Sequence, residues 1–402
     1  MRDIDYDILI VGAGMAGASL ACALDGAGYR IALLEASSTD HAAPPGYDER
    51  VLALAYGSQR IFRQLGVWDA LAEHATPIEH IHVSDRGRFG FTRLHAVDEG
   101  VPAMGYVTPA RAIGEALLPR LPGIAGLEVL RPATVVALAA NRDGVEVGLI
   151  TGQGRQRLRA RLLVAADGVR SAVRELSGIG ADEHDYSHTA IIANLTPAQG
   201  HGNVAYERFT ETGPLALLPM TEGRMSLVYT VHSDEADAHL GLDDAAFLCK
   251  VQERFGYRLG RLQRIGQRSA YPLVMTRAQT QIAARTVLIG NAAHTLHPIG
   301  GQGFNLGLRD VATLAAMLRA PETHDPGAGA LLAEYAKRRA GDHSAIIRAT
   351  DALAKVFSNR LPVLSQTRDL GMIAVDLLSG PRHLLARHAM GLAARVPTLE
   401  PR

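Results

Sequence analysis

Three stretches of this chain could bring bare backbone N–H groups against a phosphate or a polar ring edge. The first, Gly12-Ala-Gly14-Met-Ala-Gly17, has the GxGxxG spacing: one glycine for a tight turn, one for close approach to a pyrophosphate, one for packing a helix on a strand. The string alone is weak, and its setting strengthens it. The apolar run from Asp7 to Val11 reads as a strand buried on both faces, Met15 to Leu24 reads as a helix, and Glu35 closes the next apolar run, where a carboxylate can accept from a ribose hydroxyl. The second stretch, Val164-Ala-Ala-Asp167-Gly168-Val-Arg170-Ser171-Ala-Val-Arg174, is a buried strand ending in Asp-Gly with two arginines behind it. The third, Gly290-Asn291-Ala-Ala-His294-Thr-Leu-His297-Pro298-Ile-Gly-Gly301-Gln302-Gly303-Phe304-Asn305, follows the apolar run from Thr286 to Ile289 and leads into a helix from Phe304 to Leu318, whose N-terminus favours negative charge.

These stretches need a parallel sheet, and the chain supplies its strands in separated pieces. Residues 1–75, 101–180 and 276–328 are expected to form a discontinuous dinucleotide-binding domain. Residues 76–100 and 181–275, with longer alternating segments, are expected to form a second, antiparallel domain, and 329–402 a helical C-terminal region. Within this plan, Thr108 is placed to cap a helix running to Leu121, and 127–150 reads as two strands turning at Asn141 to Gly144. Tyr206 to Phe209 and Gly213 to Met220 could wall an apolar cavity, or be ordinary sheet core.

Composition removes several classes. The 41 Lys and Arg against 41 Asp and Glu leave no overall electrostatic footprint for nucleic acid. Cys22 and Cys249 make neither a disulfide framework nor a CxxC pair, and no histidine pair joins a further set at ligand spacing, so no metal is expected. No run of ~20 apolar residues occurs. A cytoplasmic place is expected, with peripheral contact on the inner membrane left open.

Taken together, the motifs resemble the single-component FAD-dependent aromatic hydroxylases similar to p-hydroxybenzoate hydroxylase. The long third stretch is most similar to the ubiquinone-biosynthesis hydroxylases, above all the 2-polyprenyl-6-methoxyphenol hydroxylase branch. The resemblance covers nearly the whole chain, including Asp48-Glu-Arg-Val-Leu-Ala-Leu54. It implies an α/β fold: a Rossmann-like FAD-binding domain, an antiparallel-sheet substrate domain and a helical tail. It implies FAD as cofactor, NAD(P)H and O2 as co-substrates, and hydroxylation of a polyprenylated (methoxy)phenol ring through a flavin C4a-hydroperoxide. The rival readings are another aromatic-ring hydroxylase, a flavin-dependent prenyl reductase, and a flavin-bound scaffold of a biosynthetic complex. No second GxGxxG exists, so the nicotinamide nucleotide has no motif of its own.

Carried over position by position, Gly12, Gly14 and Gly17 would hold the FAD pyrophosphate and Glu35 the adenosine ribose. Arg50 and Arg111 would contact the phosphate and ribityl portions, and Asp167 both FAD and the nicotinamide nucleotide. Gly303, Phe304 and Asn305 would lie against the isoalloxazine edge. Most relatives carry Asp where this chain has Asn291, which keeps an acceptor and loses the charge. His294 is a candidate base for the phenol or a structural histidine of the loop, and His297 is a lesser one. The tail beyond Leu370, with Arg382, Arg387 and Arg395, would pack on the body or meet a membrane surface or a protein partner.

Overall fold

The computed structural model describes residues 4–38, 50–296, 299–358 and 371–393, with backbone only at 299 and over 351–358. Asp48, Glu49, His297 and Arg395 lie outside the described residues. The core of the first sheet is five parallel strands in the order Thr286–Leu288, Gly154–Ala165, Tyr6–Val11, Ile31–Leu34 and Leu127–Leu130. Alternation along Tyr6–Val11 explains why it sits at the centre. Ile8 and Ile10 face a layer of helices through Leu20, Leu24, Leu308 and Val311, while Leu9 and Val11 face the opposite side with Val135, Val147 and Val173. Each fully buried Ile or Leu here contributes about 1.5–3 kcal/mol.

The stretch 127–150 differs from the two-strand expectation. Leu127–Leu130 joins the parallel sheet beside Ile31–Leu34, and only after Arg131 and Pro132 does Ala133–Ala140 begin an antiparallel meander with Val145–Thr151 and the first half of Gly154–Ala165. Three short strands therefore stand where the apolar pattern suggested two, because Pro132 interrupts the run. The turn between the last two is where it was expected: Asn141 Oδ1 accepts from the N–H groups of Asp143 and Gly144.

A second sheet of nine strands is antiparallel except where Val204–Thr210 runs alongside His80–Asp85. Its longest strand, Ala181–Pro197, pairs with Met225–His232 on one side and with Ser269–Ala278 on the other. Helix Asp244–Phe255, capped by Asp243 at the Ala246 N–H, covers one face by setting Phe247, Val251 and Phe255 against Ile191, Leu215 and Tyr229. Between the two large sheets lies a small one, Val51–Ala55, Gly105–Pro109 and Thr76–Ile78. Ile78 and Val107 carry it against Ala205 and Met220 of the nine-stranded sheet.

Thr108 does not cap a helix. It lies inside strand Gly105–Pro109, fully buried, and the following helix Ala110–Leu117 starts without a side-chain cap. Its pairing with Leu52 fixes it in the sheet, and a ladder partner outweighs a local capping preference. At the other end of the chain, helix Gly329–Ser358 is followed by a helical segment at 371–377 and helix Ser379–Ala389. This tail folds back on the body: Thr92 Oγ1 donates to Met372 O, the Arg93 N–H to Asp376 and the Gly57 N–H to Met390 O. Among the described residues no helix is long and apolar enough to cross a membrane.

Candidate cofactor site

The three glycine-bearing stretches meet at one edge. Val11, Ala165 and Leu288 end neighbouring parallel strands in register, and their loops leave from the same carboxyl end, the usual place for a ligand in such sheets. The glycines divide their work. At Gly12, φ is +99° and a Cβ would lie 2.5 Å from Ala166 O, so the first loop can touch the second only without a side chain. A Cβ on Gly17 would lie 1.9 Å from Gly12 O, so that position is reserved for helix-on-loop packing. Gly14, by contrast, has nothing within 4 Å of the same point: its bareness serves no contact within the protein.

The other predicted residues are placed as follows. Glu35 accepts from the Ala13 N–H through one carboxylate oxygen and from the Ser37 N–H through the other, both at 2.9 Å. It therefore braces the first loop while keeping lone pairs for a hydroxyl donor. Asp167 accepts from Ser171 Oγ at 2.5 Å and from the Val173 N–H at 3.1 Å, which fixes the turn after the second strand. Arg50 is exposed, with its guanidinium over the Tyr271 ring, and Arg111 pairs with Glu115. The Ala110 N–H bonds to Arg50 O, so the two arginines stand side by side at the end of the small sheet. Asn291 is exposed in a short turn, Gly290–Ala292. Helix Gln302–Leu318 begins at Gly301 with φ of +61° and no side-chain cap, and Gly303 in its first turn has open space beside it.

Two predicted residues have side chains bonded within the protein. The Asn305 side chain is fully enclosed: Oδ1 accepts from the Ala55 N–H and Ser58 Oγ, and Nδ2 donates to Ala53 O and Gly301 O, all within 2.7–2.8 Å. With its bonding capacity used inside the protein, this side chain ties the glycine loop to strand Val51–Ala55 and leaves the backbone of the helix's first turn to face a ligand. The His294 ring is enclosed as well, as the structural alternative for it has it. It is 1% exposed, sits in the strand pair with Arg277, and bonds through Nε2 to Asp310 at 3.0 Å.

Asp310 is the centre of a buried network that the sequence does not announce. One carboxylate oxygen accepts from Arg339 and His343, both at 2.7 Å, and the other from His294 and, at 3.3 Å, the Gly290 N–H. Arg339 and Arg309 also engage Asp342. Burial opposes the charge on Asp310, but His343, Arg339 and the hydrogen bonds outweigh it and hold its carboxyl well below the ordinary range. Burial pushes His294 down, and its contact with Asp310 only partly offsets that. His294, Asp310 and His343 lie close enough to suggest a cation site, but the Arg339 guanidinium already occupies the carboxylate that would have to bind it. A second missed link is Arg174, which donates to Ala292 O at 3.0 Å and to Val169 O at 2.9 Å, joining the second loop to the third.

Open backbone at Gly14 and Gly303, an uncapped helix N-terminus and a carboxylate at Glu35 suit an anionic dinucleotide with a polar ring system. Comparison with known proteins agrees. Residues 5–350 match the FAD binding domain family. The ubiquinone hydroxylase UbiL of Rhodospirillum rubrum is 40% identical over 96% of this chain and 89% of its own length. The ubiquinone hydroxylase UbiM of Neisseria meningitidis is 31% identical, covering 96% and 84%. The 3-demethoxyubiquinol 3-hydroxylase of Escherichia coli is 28% identical, covering 98% and 100%. Among solved structures, p-nitrophenol 4-monooxygenase PnpA from Pseudomonas putida shares the fold, with a TM-score of 0.80 at 20% identity over 98% of this chain and all of that one.

Proposed function

This chain belongs to the FAD binding domain family, and from that premise we propose that it is a flavoprotein monooxygenase hydroxylating the phenolic ring of a polyprenylated ubiquinone precursor. The observation that carries the reading is the convergence of three loops whose bare positions, Gly14 and Gly303, serve no packing need of the protein. When bound, FAD supplies the redox chemistry, carrying electrons from NAD(P)H to O2 so that one oxygen atom reaches the ring. The protein supplies the rest. Gly12, Gly14 and Gly17 let the backbone close on the pyrophosphate, and Glu35 accepts from the adenosine ribose. Arg50, Arg111 and Asn291 would hold the phosphates and the ribityl chain. The N-terminus of Gln302–Leu318, through Gly303 and Phe304, offers uncapped N–H groups to a ring edge that gains negative charge on reduction. Arg174 joins the second loop to the third, Asp167 fixes the turn of the second, and Asn305 ties the third to strand Val51–Ala55.

The test is oxygen-18 gas supplied with NAD(P)H and a polyprenylated methoxyphenol. The expected result is one labelled oxygen in the product ring for each nicotinamide nucleotide oxidised. Nucleotide oxidation with no label in the ring would make the protein an oxidase or reductase.

A polyprenylated ring resides in lipid, and the described part of the tail is our candidate for approaching it. Leu377 and Leu378, before helix Ser379–Ala389, are 75% and 55% exposed, and Leu384 and Leu385 within it are 60% and 40% exposed, with Arg382 and Arg387 close by in the chain. We expect Leu384→Asp with Leu385→Asp to reduce flotation with anionic vesicles about tenfold while FAD content stays unchanged. Equal flotation of the double variant and the parent protein would remove the tail from membrane contact.

A further inference from the structure

On strand Val204–Thr210 every second residue faces the small sheet and the glycine loop. Ala205 packs with Ile78, Val107 and Met220 in this apolar seam, and Glu207 follows it on the same face. Its strand neighbours there, Val83 and Ala216, cannot neutralise it. The carboxylate instead lies near the backbone N–H of Gly300, one residue before Gly301, where helix Gln302–Leu318 starts. A carboxylate in an apolar wall, touching the loop that fronts the cofactor site and without an ion pair among the described residues, costs stability unless it serves something else.

Resting on the function proposed above, we propose that Glu207 is the catalytic residue that accepts the proton of the substrate's ring hydroxyl. The phenolic O–H bond breaks, the proton passes to a Glu207 carboxylate oxygen, and the electron pair left on the phenolic oxygen enriches the ring for attack on electrophilic oxygen. The proton returns to the ring oxygen before product leaves. Burial pushes the Glu207 carboxyl up to about 7, against a smaller opposing effect of the Gly300 N–H. Glu207 is half-buried, on the same face of its strand as the buried Ala205. A base poised near neutrality is what such a transfer needs. Arg208 points to the other face of the sheet. Helix Gly329–Ser358 packs against this strand.

Glu207→Gln keeps an acceptor for the Gly300 N–H and cannot take a proton, whereas Glu207→Ala loses both. For the Gln variant we expect an FAD dissociation constant within twofold of the parent, hydroxylation lowered by about 100-fold or more, and continued oxidation of NAD(P)H. A second measurement does not depend on turnover: absorbance titration of 4-nitrophenol bound to the FAD-loaded protein. Two acids sharing one site resist double ionisation, so the midpoint of bound nitrophenol should fall by about one pH unit or more on Glu207→Gln. Hydroxylation within threefold of the parent, or an unmoved nitrophenol midpoint, overturns the proposal. So does an FAD affinity lost as fully in the Gln variant as in the Ala variant, which would make Glu207 a brace of the loop. If the parent itself incorporates no labelled oxygen, the functional reading fails, and the nitrophenol midpoint still decides whether Glu207 faces a bound phenol.

Discussion

Gly14→Val is expected to give a folded protein that no longer retains FAD, while Gly17→Ala is expected to give little folded protein at all. The two positions belong to one motif and fail for opposite reasons. At Gly14 a side chain meets no atom of the protein within 4 Å and the backbone lies in a region open to any residue, so the added atoms intrude only on a ligand. We expect at least a 100-fold rise in the FAD dissociation constant, about 2.8 kcal/mol, with a melting temperature of the FAD-free protein close to the parent's. At Gly17 the first atom of any side chain would lie 1.9 Å from the Gly12 carbonyl oxygen, and backbone cannot step aside as a flexible side chain can. The cost there exceeds the ~1–3 kcal/mol of ordinary overpacking. Flavin fluorescence and thermal melts of both variants are the measurement. Unchanged FAD affinity in Gly14→Val would show that the pyrophosphate lies elsewhere.

Asp310→Ala is expected to destabilise the protein by about 3–5 kcal/mol, because it strips the main counter-charge from an Arg339 side chain that is 4% exposed and frees the Gly290 N–H. Thermal melts with and without FAD should both fall, and loss of bound flavin should exceed what the fall in stability explains. A variant within 1 kcal/mol of the parent would refute this account of the network. The same network sets the response to acid. The His294 imidazole titrates below its ordinary 6.5 in the folded protein, so as the pH drops past 6.5 the unfolded chain takes up that proton first and stability declines. Asp310 adds to the loss only at much lower pH, below the ordinary carboxylate range, since its depressed titration keeps its contribution intact above that. His294→Gln should flatten the decline just below pH 6.5. An unchanged slope there would place its origin elsewhere.

The parts of the site that could be read in the sequence are those whose chemistry depends on the lack of a side chain. A glycine that must be bare is visible as a letter, and a buried parallel strand before it is visible as an apolar run, so the loops after Val11, Ala165 and Leu288 are legible in the sequence. What a polar side chain bonds to is a matter of tertiary neighbours. Asn305 and His294 stand in the right loop, yet their bonding partners come from residues 53–58 and 310, which no local spacing relates to them. Asp310 looks like any acid in a helix, and Arg174 like any surface cation, until the fold brings Gly290 and Ala292 to them. Glu207 was concealed differently. In an alternating strand a charged letter normally marks the solvent face, and only the packing of Ala205 reveals that this face is turned inward. Misplacing Thr108 has the same origin: a good cap residue before a helix is also a good strand residue, and the ladder to Leu52 decides.

The order in which the chain is made has a bearing on how this architecture is reached. Tyr6–Val11 leaves the ribosome well before one of its two neighbours in the sheet, which ends at Ala165, and the strand beyond that ends only at Leu288. The wall of helix Gln302–Leu318 comes later still, and the carbonyl that the Gly57 N–H uses belongs to Met390. From its own synthesis until that of Leu288, then, a strand with a fully buried Ile8, Leu9 and Ile10 has no completed sheet to enter. Such a strand must be shielded by its own helix Met15–Ala23, by Ile31–Leu34 and by whatever chaperone meets it, and an interrupted chain would expose that surface to aggregation rather than yield half an enzyme.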